Sequence, residues 1–392
     1  MARLRDGHIS RRDLLKYSAL TGAGGLLAAC GAAAPTASAT PTAAASAAAS
    51  AAATRWGMTA AQEAAWKVIE DAAKKEGKVT YYSLGTVPPA QVDKLKAEFA
   101  KDNPGITVEY LNVGNSAQLA ARITTEEQAK TVVADVADHS VRSALLLTVA
   151  PTDFYDAFIP PAAKDPKVKW LTDPVADPDK KGKINANLAQ FFAIWTNTRS
   201  VAAADAPKNA MDVATNPKWK GQIIWRTPWT SGGGNHLYYY AQKVYGRDWV
   251  TKMQAQNPVF ADDQDAALLQ VARGEYAIGL GLTGRQGADL IKQGQPLKAL
   301  WPNDFVITST QGSQLVLGAP HPNAAKVFIN WTLTERAQQF WRDLGQFPLN
   351  SAIEPAEDWM KGVSNAKQVY ENLLAAKEQQ DVYDQATKDF KK

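Results

Sequence analysis

A single cysteine, Cys30, in a chain of 392 residues leaves no internal disulfide to be formed. Histidine is scarce, with four in all, and none falls in an HExxH pattern; GxSxG and CxxC are missing too. The commonest signatures of zinc hydrolases, serine hydrolases and thiol redox enzymes are therefore absent. Charge of one sign is also lacking: 43 Lys and Arg stand against 39 Asp and Glu, a formal net charge of +4. Five of those bases and two of those acids lie in the first 29 residues, so the remainder is close to neutral. Such a balance does not suit nucleic acid, which calls for a basic surface. No apolar run reaches the roughly 20 residues that a membrane span takes.

The N-terminus carries a directional pattern instead. SRRDLLK, Ser10 to Lys16, precedes a weakly apolar, Ala- and Gly-rich run from Tyr17 to Ala29. A basic flank before a short apolar run is the layout of an export signal. The arginine pair resembles the twin-arginine type, with Leu14 where phenylalanine is more usual. LAAC, Leu27 to Cys30, followed by Gly31, resembles a bacterial lipobox and implies cleavage before Cys30, a lipid on that thiol, and attachment to the outer face of the cytoplasmic membrane. From Gly31 to Thr54 the chain is almost wholly Ala, Ser, Thr and Pro, which cannot bury enough apolar area to offset ordering. The expectation is a signal over 1–29, a lipidated tether over 30–54, and a folded body of two lobes, since more than 330 residues exceed what one core usually holds.

Within that body strands alternate with helices. Thr59 to Gln62 resembles a capping box, and Ala65, Trp66, Ile69, Ala72 and Ala73 share one helical face. VTYYS (Val79 to Ser83), ITVEYL (Ile106 to Leu111) and VVADVA (Val132 to Ala137) read as strands, with helices between them. This order predicts an α/β fold with mainly parallel sheets, in which ligands sit beyond the carboxyl ends of the strands. Three loops then share a rim: Ser83, Gly85 and Thr86; Asn115 and Ser116; His139 and Ser140. AQFFAIWTN, Ala189 to Asn197, is an extended apolar run expected to cross into the second lobe. The expected boundaries are 55–190 with 305–392 for lobe 1 and 191–304 for lobe 2, the Lys- and Glu-rich stretch from Asn365 forming one or two solvated helices.

The second lobe contains the most telling stretch, NPKWKGQIIWRTPWTSGGGNHLYYY, Asn216 to Tyr240. A strand, a glycine-rich bend and a helix start leave free backbone N–H groups that can hold an anion. Ser231, Gly232, Gly233 and Asn235 are the first candidates, joined by Thr283 and Arg285 in the loop after YAIGLG. Arg226 and Arg285 offer bidentate donors to a carboxylate or phosphonate, or are surface arginines paired with local acids. Trp195, with Trp225, Trp229 and Trp301, supplies either a stacking wall or core. Asp262, Asp263 and Asp265 lack calcium-loop spacing and sit where acids favour a helix start, so no metal is assigned to them. A cationic solute such as a polyamine would call on Asp138 and Asp304.

The order of these pieces resembles the periplasmic solute-binding proteins of ABC importers, in particular the ferric-iron-binding branch and its relatives for other small ligands. TYYS (Thr80 to Ser83), ADV (Ala134 to Val136), IWTN (Ile194 to Asn197), NPKWKG (Asn216 to Gly221), RGEYAIGLG (Arg273 to Gly281), PHPNAAKVFINWTLT (Pro320 to Thr334) and QFPLN (Gln346 to Asn350) carry it. The resemblance implies a type 2 binding-protein fold: two α/β lobes joined by hinge strands, a monomer that closes on a solute and presents it to a membrane permease, without a cofactor. The family's iron-binding members have a tyrosine pair where this chain has LTGR, Leu282 to Arg285. The solute expected is therefore an organic anion or oxyanion, with ferric iron, an iron chelate or a polyamine as alternatives. A ligand-sensing lipoprotein is a second class, and a hydrolase using His139 and Ser140 a third.

Overall fold

A computed structural model describes residues 54–114, 116–146, 153–361, 363, 367–370 and 376–391. Residues 1–53, which hold the expected export signal, Cys30 and all but Thr54 of the expected tether, lie outside them, as does Asn115. The helices are α1 (Ala60–Glu76), α2 (Val92–Asp102), α3 (Ser116–Gln128), α4 (Val141–Leu146), α5 (Ala210–Thr215), α6 (Gly233–Tyr245), α7 (Arg247–Ala255), α8 (Gln264–Arg273), α9 (Gly284–Lys292), α10 (Pro322–Trp331), α11 (Glu335–Asp343), α12 (Asp358–Lys361) and α13 (Ala376–Phe390). The strands are β1 (Lys78–Ser83), β2 (Thr107–Asn112), β3 (Val136–Ser140), β4 (Leu188–Asn197), β5 (Ile223–Arg226), β6 (Val259–Ala261), β7 (Ile278–Thr283), β8 (Leu297–Leu300), β9 (Val306–Leu315), β10 (Phe347–Pro348) and β11 (Gln368–Tyr370).

Local chemistry sets several of these boundaries. Thr59 and Gln62 form a reciprocal capping box at the start of α1, and Gly77 ends it at φ 73°. Asp263 accepts from the backbone N–H groups of Asp265 and Ala266 and so caps α8, which accounts for that acid cluster as a helix start.

The strands form one mixed sheet in the order β2-β1-β3-β9-β4-β7-β5-β6. At one end β2, β1 and β3 run parallel; at the other β7, β5 and β6 do. Between them the ten-residue strands β4 and β9 pair antiparallel, Gln190 opposite Ser309 and Phe192 opposite Ile307. The fold is thus the expected α/β class, with β4 where the apolar crossover was expected. Apolar burial follows the same division. One pair of cores holds Tyr81, Phe99, Phe328 and Trp341, and Phe154, Tyr155 and Phe347; another holds Trp225, Trp249 and Phe305, and Trp195, Leu268 and Leu282.

Two expectations need correcting. The third strand begins at Val136 rather than Val132 and runs to Ser140, because its ladder to β9 extends to Ser140 opposite Gln311. His139 and Ser140 are therefore strand residues and not loop residues. The C-terminal helix is not merely solvated: α13 buries Ala386 and Phe390 in the core of Trp225 and Tyr238. Arg247 holds its Asp389 through two bonds of 2.6 Å. Its packing partners, α6 and α7, belong to the segment expected to form lobe 2, whereas the sequence assigned this stretch to lobe 1.

Candidate functional site

Where β5 ends, the chain turns back into α6 under tight steric limits. Gly232 has φ 131°, a conformation that L side chains rarely adopt. A Cβ on Gly233 would fall 2.2 Å from the Phe192 ring and 2.4 Å from the Gly281 carbonyl oxygen; one on Gly234 would fall 1.8 Å from the Arg226 carbonyl oxygen. The glycines thus let the first turn of α6 press against both β5 and β7. The N-cap is Gly232, so among the described residues no N-cap side chain bonds this helix start, the end of a helix that favours an anion.

Gly232, Gly233 and His236 of this start line a cavity of about 180 Å³ together with Leu84, Ser140, Ser143, Gln190, Phe192, Arg226, Ser231, Gln264, Thr283, Ser309 and Gln311. Among the described residues that line it there is no carboxylate, tyrosine or tryptophan. Two larger cavities, about 460 and 430 Å³, lie around Trp56 and Trp66 beside α1. They sit away from the strand ends, and ion pairs of Arg55 with Glu63 and Glu70 already occupy the charges there. Convergent donors at strand ends make the smaller cleft the candidate site.

Arg226 is the cleft's cation. Burial lowers its pKa, while the fields of Asp263, Asp262 and Asp265 oppose that, yet it forms no ion pair among the described residues. Beside it His236 is held well below the ordinary histidine range by burial and by the charges of Arg142 and Arg226, so its imidazole is neutral. Opposite stand neutral groups. Ser140 and Ser143 face each other at 3.0 Å, and Gln190, Ser309 and Gln311 project from β4 and β9.

The structure brings together Ser140, Arg226, Ser231, Gly232, Gly233 and Thr283 of the candidates named from sequence. Ser83 and Thr86 are buried against Asp138 behind the cleft, and it is Leu84 that reaches the lining. Gly85 is a turn residue at φ 79° beside Asn112. Asn115 and the Ser116 side chain lie outside the described residues. His139 is buried, neutral with a pKa near 3, its ring 5.8 Å from that of Tyr155, and it does not line the cleft. Trp195 is core: it is fully buried, donates to the Leu282 carbonyl at 3.3 Å and packs on Trp359. Trp225, Trp229 and Trp301 also pack on other aromatic rings and line no part of the cleft.

Asn235 is a tie between elements rather than part of the lining. Its Oδ1 accepts from Gln379 of α13 at 3.0 Å and from Arg142 of α4 at 3.4 Å, and its Nδ2 donates to the Pro228 carbonyl at 2.7 Å. Arg285 stands at the rim, 3.9 Å from Asp265, and its charge is felt at Tyr110. Asp304, half-buried, lies outside the lining as well. Sequence reasoning missed Ser143, Gln190, Phe192, His236, Gln264, Ser309 and Gln311. The available signal was Gln190, the single polar residue in the apolar stretch of β4 from Leu188 to Trp195; β9 is polar or glycine at every position from Thr308 to Gln314 and marks none of them out.

In a mixed α/β sheet, a polar cleft at the strand ends is where small molecules bind. Residues 94–367 match the model of the bacterial extracellular solute-binding protein family, and the chain belongs to that family. Among curated proteins none matches. Solved structures share the fold. The substrate-binding protein of an ABC transporter from Agrobacterium tumefaciens superposes with a TM-score of 0.65 at 16% identity, covering 80% of this chain and 94% of its own. Iron-bound HitA from Pseudomonas aeruginosa gives 0.62 at 21%, covering 79% and 99%. The periplasmic binding protein AfuA from Actinobacillus pleuropneumoniae, with fructose-6-phosphate bound, gives 0.59 at 17%, covering 80% and 99%. Among the described residues no helix is long and apolar enough to cross a membrane.

Proposed function

We propose that this protein is the substrate-binding subunit of an ABC importer and captures a small organic anion or oxyanion in the cleft between β3, β4, β9 and the start of α6. The observation that carries this reading is Arg226, a mostly buried guanidinium without an ion pair among the described residues, beside uncapped N–H groups of α6 in a lining without carboxylates. Desolvating such a cation is costly unless an anion arrives to pair with it. A polyamine would need acids in the lining, and ferric iron would need hard anionic oxygen donors; the described lining supplies neither. Neutral serines and glutamines around the charge suit a solute with further hydroxyl or amide groups.

In this reading β4 and β9 are the hinge between lobe 1, 55–190 with the return through β9, α10 and α11, and lobe 2, 191–304 with α13. Closure follows from tighter binding of solute by the closed form. The chain is exported by its arginine-pair signal, held by a lipid on Cys30 and a flexible tether, and works as a monomer beside a permease, without catalysis.

The test is calorimetry of the purified protein against carboxylates, phosphate esters, phosphonates, polyamines and ferric chelates. An anion should bind one equivalent and be released unchanged. Micromolar binding corresponds to about −8 kcal/mol, and Arg226→Ala should weaken it about 100-fold, roughly 2.8 kcal/mol. Binding of only a polyamine or ferric chelate, or of an anion equally well by Arg226→Ala, refutes the reading.

A further inference from the structure

Thr86 sits between a buried acid and the cleft. Its hydroxyl contacts the Asp138 carboxylate on one side and lies 3.0 Å from Gln311 Oε1 on the other, and Gln311 lines the cleft. A threonine hydroxyl has one proton to give. With Asp138 ionised, that proton goes to the carboxylate, and the Gln311 carbonyl faces a hydroxyl oxygen with no hydrogen between them. The amide is then satisfied only when turned over, Nε2 toward Thr86 and carbonyl toward the ligand. With a proton from solvent on Asp138, the acid donates to Thr86, Thr86 donates to Gln311 Oε1, and the Gln311 NH₂ group is directed into the cleft. Thr86 Oγ1 lies within bonding reach of both Asp138 Oδ2 and Gln311 Oε1, so its one proton can serve either partner.

We propose that Asp138 and Thr86 are positioning residues that set whether Gln311 offers the solute a donor or an acceptor, so that one proton taken up by Asp138 readies the cleft for an anion. The anion in that statement rests on the function proposed above; the relay itself does not.

The surroundings of Asp138 allow such a proton. Ser83 Oγ reaches Asp138 Oδ2 at 3.3 Å, and Tyr81 and the Leu84 N–H also bond it. Tyr110 on β2 and Tyr155 feel its charge, and the charge of Arg285 reaches Tyr110. His139, the next residue on β3, projects to the other face of the sheet, where it is neutral. No lysine or arginine is among the main influences on the acid; burial raises its pKa to about 6 against those hydrogen bonds.

The experiment follows the Gln311 side-chain amide by ¹H–¹⁵N correlation in the ligand-free protein, assigned by its loss in Gln311→Leu, from acid to mildly alkaline pH. The wild-type signal should move with a midpoint within about one unit of pH 6. In Asp138→Asn, whose amide donates to Thr86 at every pH, it should stay at the acid-end position. In Thr86→Val it should not move, while the melting temperature shows the fold intact. Sulfate, whose charge is constant over this range, should raise the melting temperature more at pH 5 than at pH 8 in wild type and equally in Asp138→Asn. A Gln311 signal that stays fixed in wild type, or moves alike in all three proteins, overturns the relay. A sulfate effect that is equal at the two pH values in wild type overturns its coupling to anions. A moving signal without any sulfate effect supports the relay and faults the anion reading alone.

Discussion

One wall of the cleft carries charge and the other carries neutral hydrogen-bonding groups. The charged wall is a contiguous piece of chain, from Arg226 through Ser231 and Gly232 to the first turn of α6. The neutral wall is assembled from Ser140 and Ser143 beside Gln190, Ser309 and Gln311, which come from β3, α4, β4 and β9. Attraction to an anion needs only one cation and a few aligned N–H groups, which a single strand–turn–helix supplies. Discrimination among anions needs several groups at fixed separations, because a site built to hydrogen-bond a particular group rejects analogues that lack it. Long paired strands hold such separations better than one loop does. The comparison implies that damage to the first wall costs affinity for every ligand, whereas damage to the second changes which ligand is preferred.

The harshest way to break the charged wall is to keep its charge and spoil its packing. A Cβ at position 234 would lie 1.8 Å from the Arg226 carbonyl oxygen, 2.6 Å from that carbonyl carbon and 2.8 Å from the Thr227 carbonyl oxygen. All three are backbone atoms and cannot rotate aside, so α6 and β5 must separate. Gly234→Ala is expected to lower unfolding stability by about 4 kcal/mol or more, at the far end of single substitutions. Urea denaturation measures it, and a loss within about 0.5 kcal/mol would show that the wall tolerates slack and that close approach is not what shapes it.

Behind the neutral wall, Asp138 gives the next largest effect, and its sign is fixed. Its folded pKa of about 6 lies above the ordinary 3.8, so the folded protein holds the proton more tightly than the unfolded chain. That contribution to stability is fully present below pH 3.8 and is lost as pH rises through about 6. The loss amounts to about 3 kcal/mol for a buried group. Asp138→Asn cannot ionise, so it should match wild type near pH 3.5 and exceed it by about 3 kcal/mol at pH 8. His139 is depressed to about 3 and acts in the opposite sense, losing stability as pH falls, but it is present in both proteins and cancels. Parallel pH–stability curves for the two proteins would mean that folding leaves the Asp138 pKa at its ordinary value.

Legibility in the sequence followed the same division between the walls. The contiguous wall could be read because its chemistry is local: a strand ending at Arg226, glycines, then a helical period. The alternation of strands and helices was equally plain, and so was the long apolar strand β4. The neutral wall was not legible, because Gln190 and Ser309 come opposite each other only through the antiparallel register of β4 and β9, and no local pattern encodes that register. Ser83 and Thr86 looked like rim residues by position, and Asp138 like a partner for a cationic solute, but the two hydroxyls turn to the buried Asp138 carboxylate. Trp195 was ambiguous for another reason: a tryptophan in an apolar strand has the same sequence context whether it stacks on a ligand or fills a core, and here Gly287 leaves room for its ring.

Arg285 gives the smallest effect and the sharpest check on the comparison. It follows Thr283 of the lining by two residues, so its position in sequence resembles that of Arg226. Its surroundings differ. Nη2 lies 3.9 Å from the half-buried Asp265, an acid whose charge opposes its field, and the guanidinium stands outside the lining. A rim charge paired in this way contributes about 0–1 kcal/mol and is screened by salt. Arg285→Ala should therefore weaken anion binding no more than about threefold in low salt, with the difference vanishing in about 0.5 M salt. Calorimetry with the same anion on Arg226→Ala and Arg285→Ala, side by side, measures the ratio. If the two losses were equal, the attraction would not be confined to one contiguous wall, and both strand-end loops of the β5 and β7 side would share the charge.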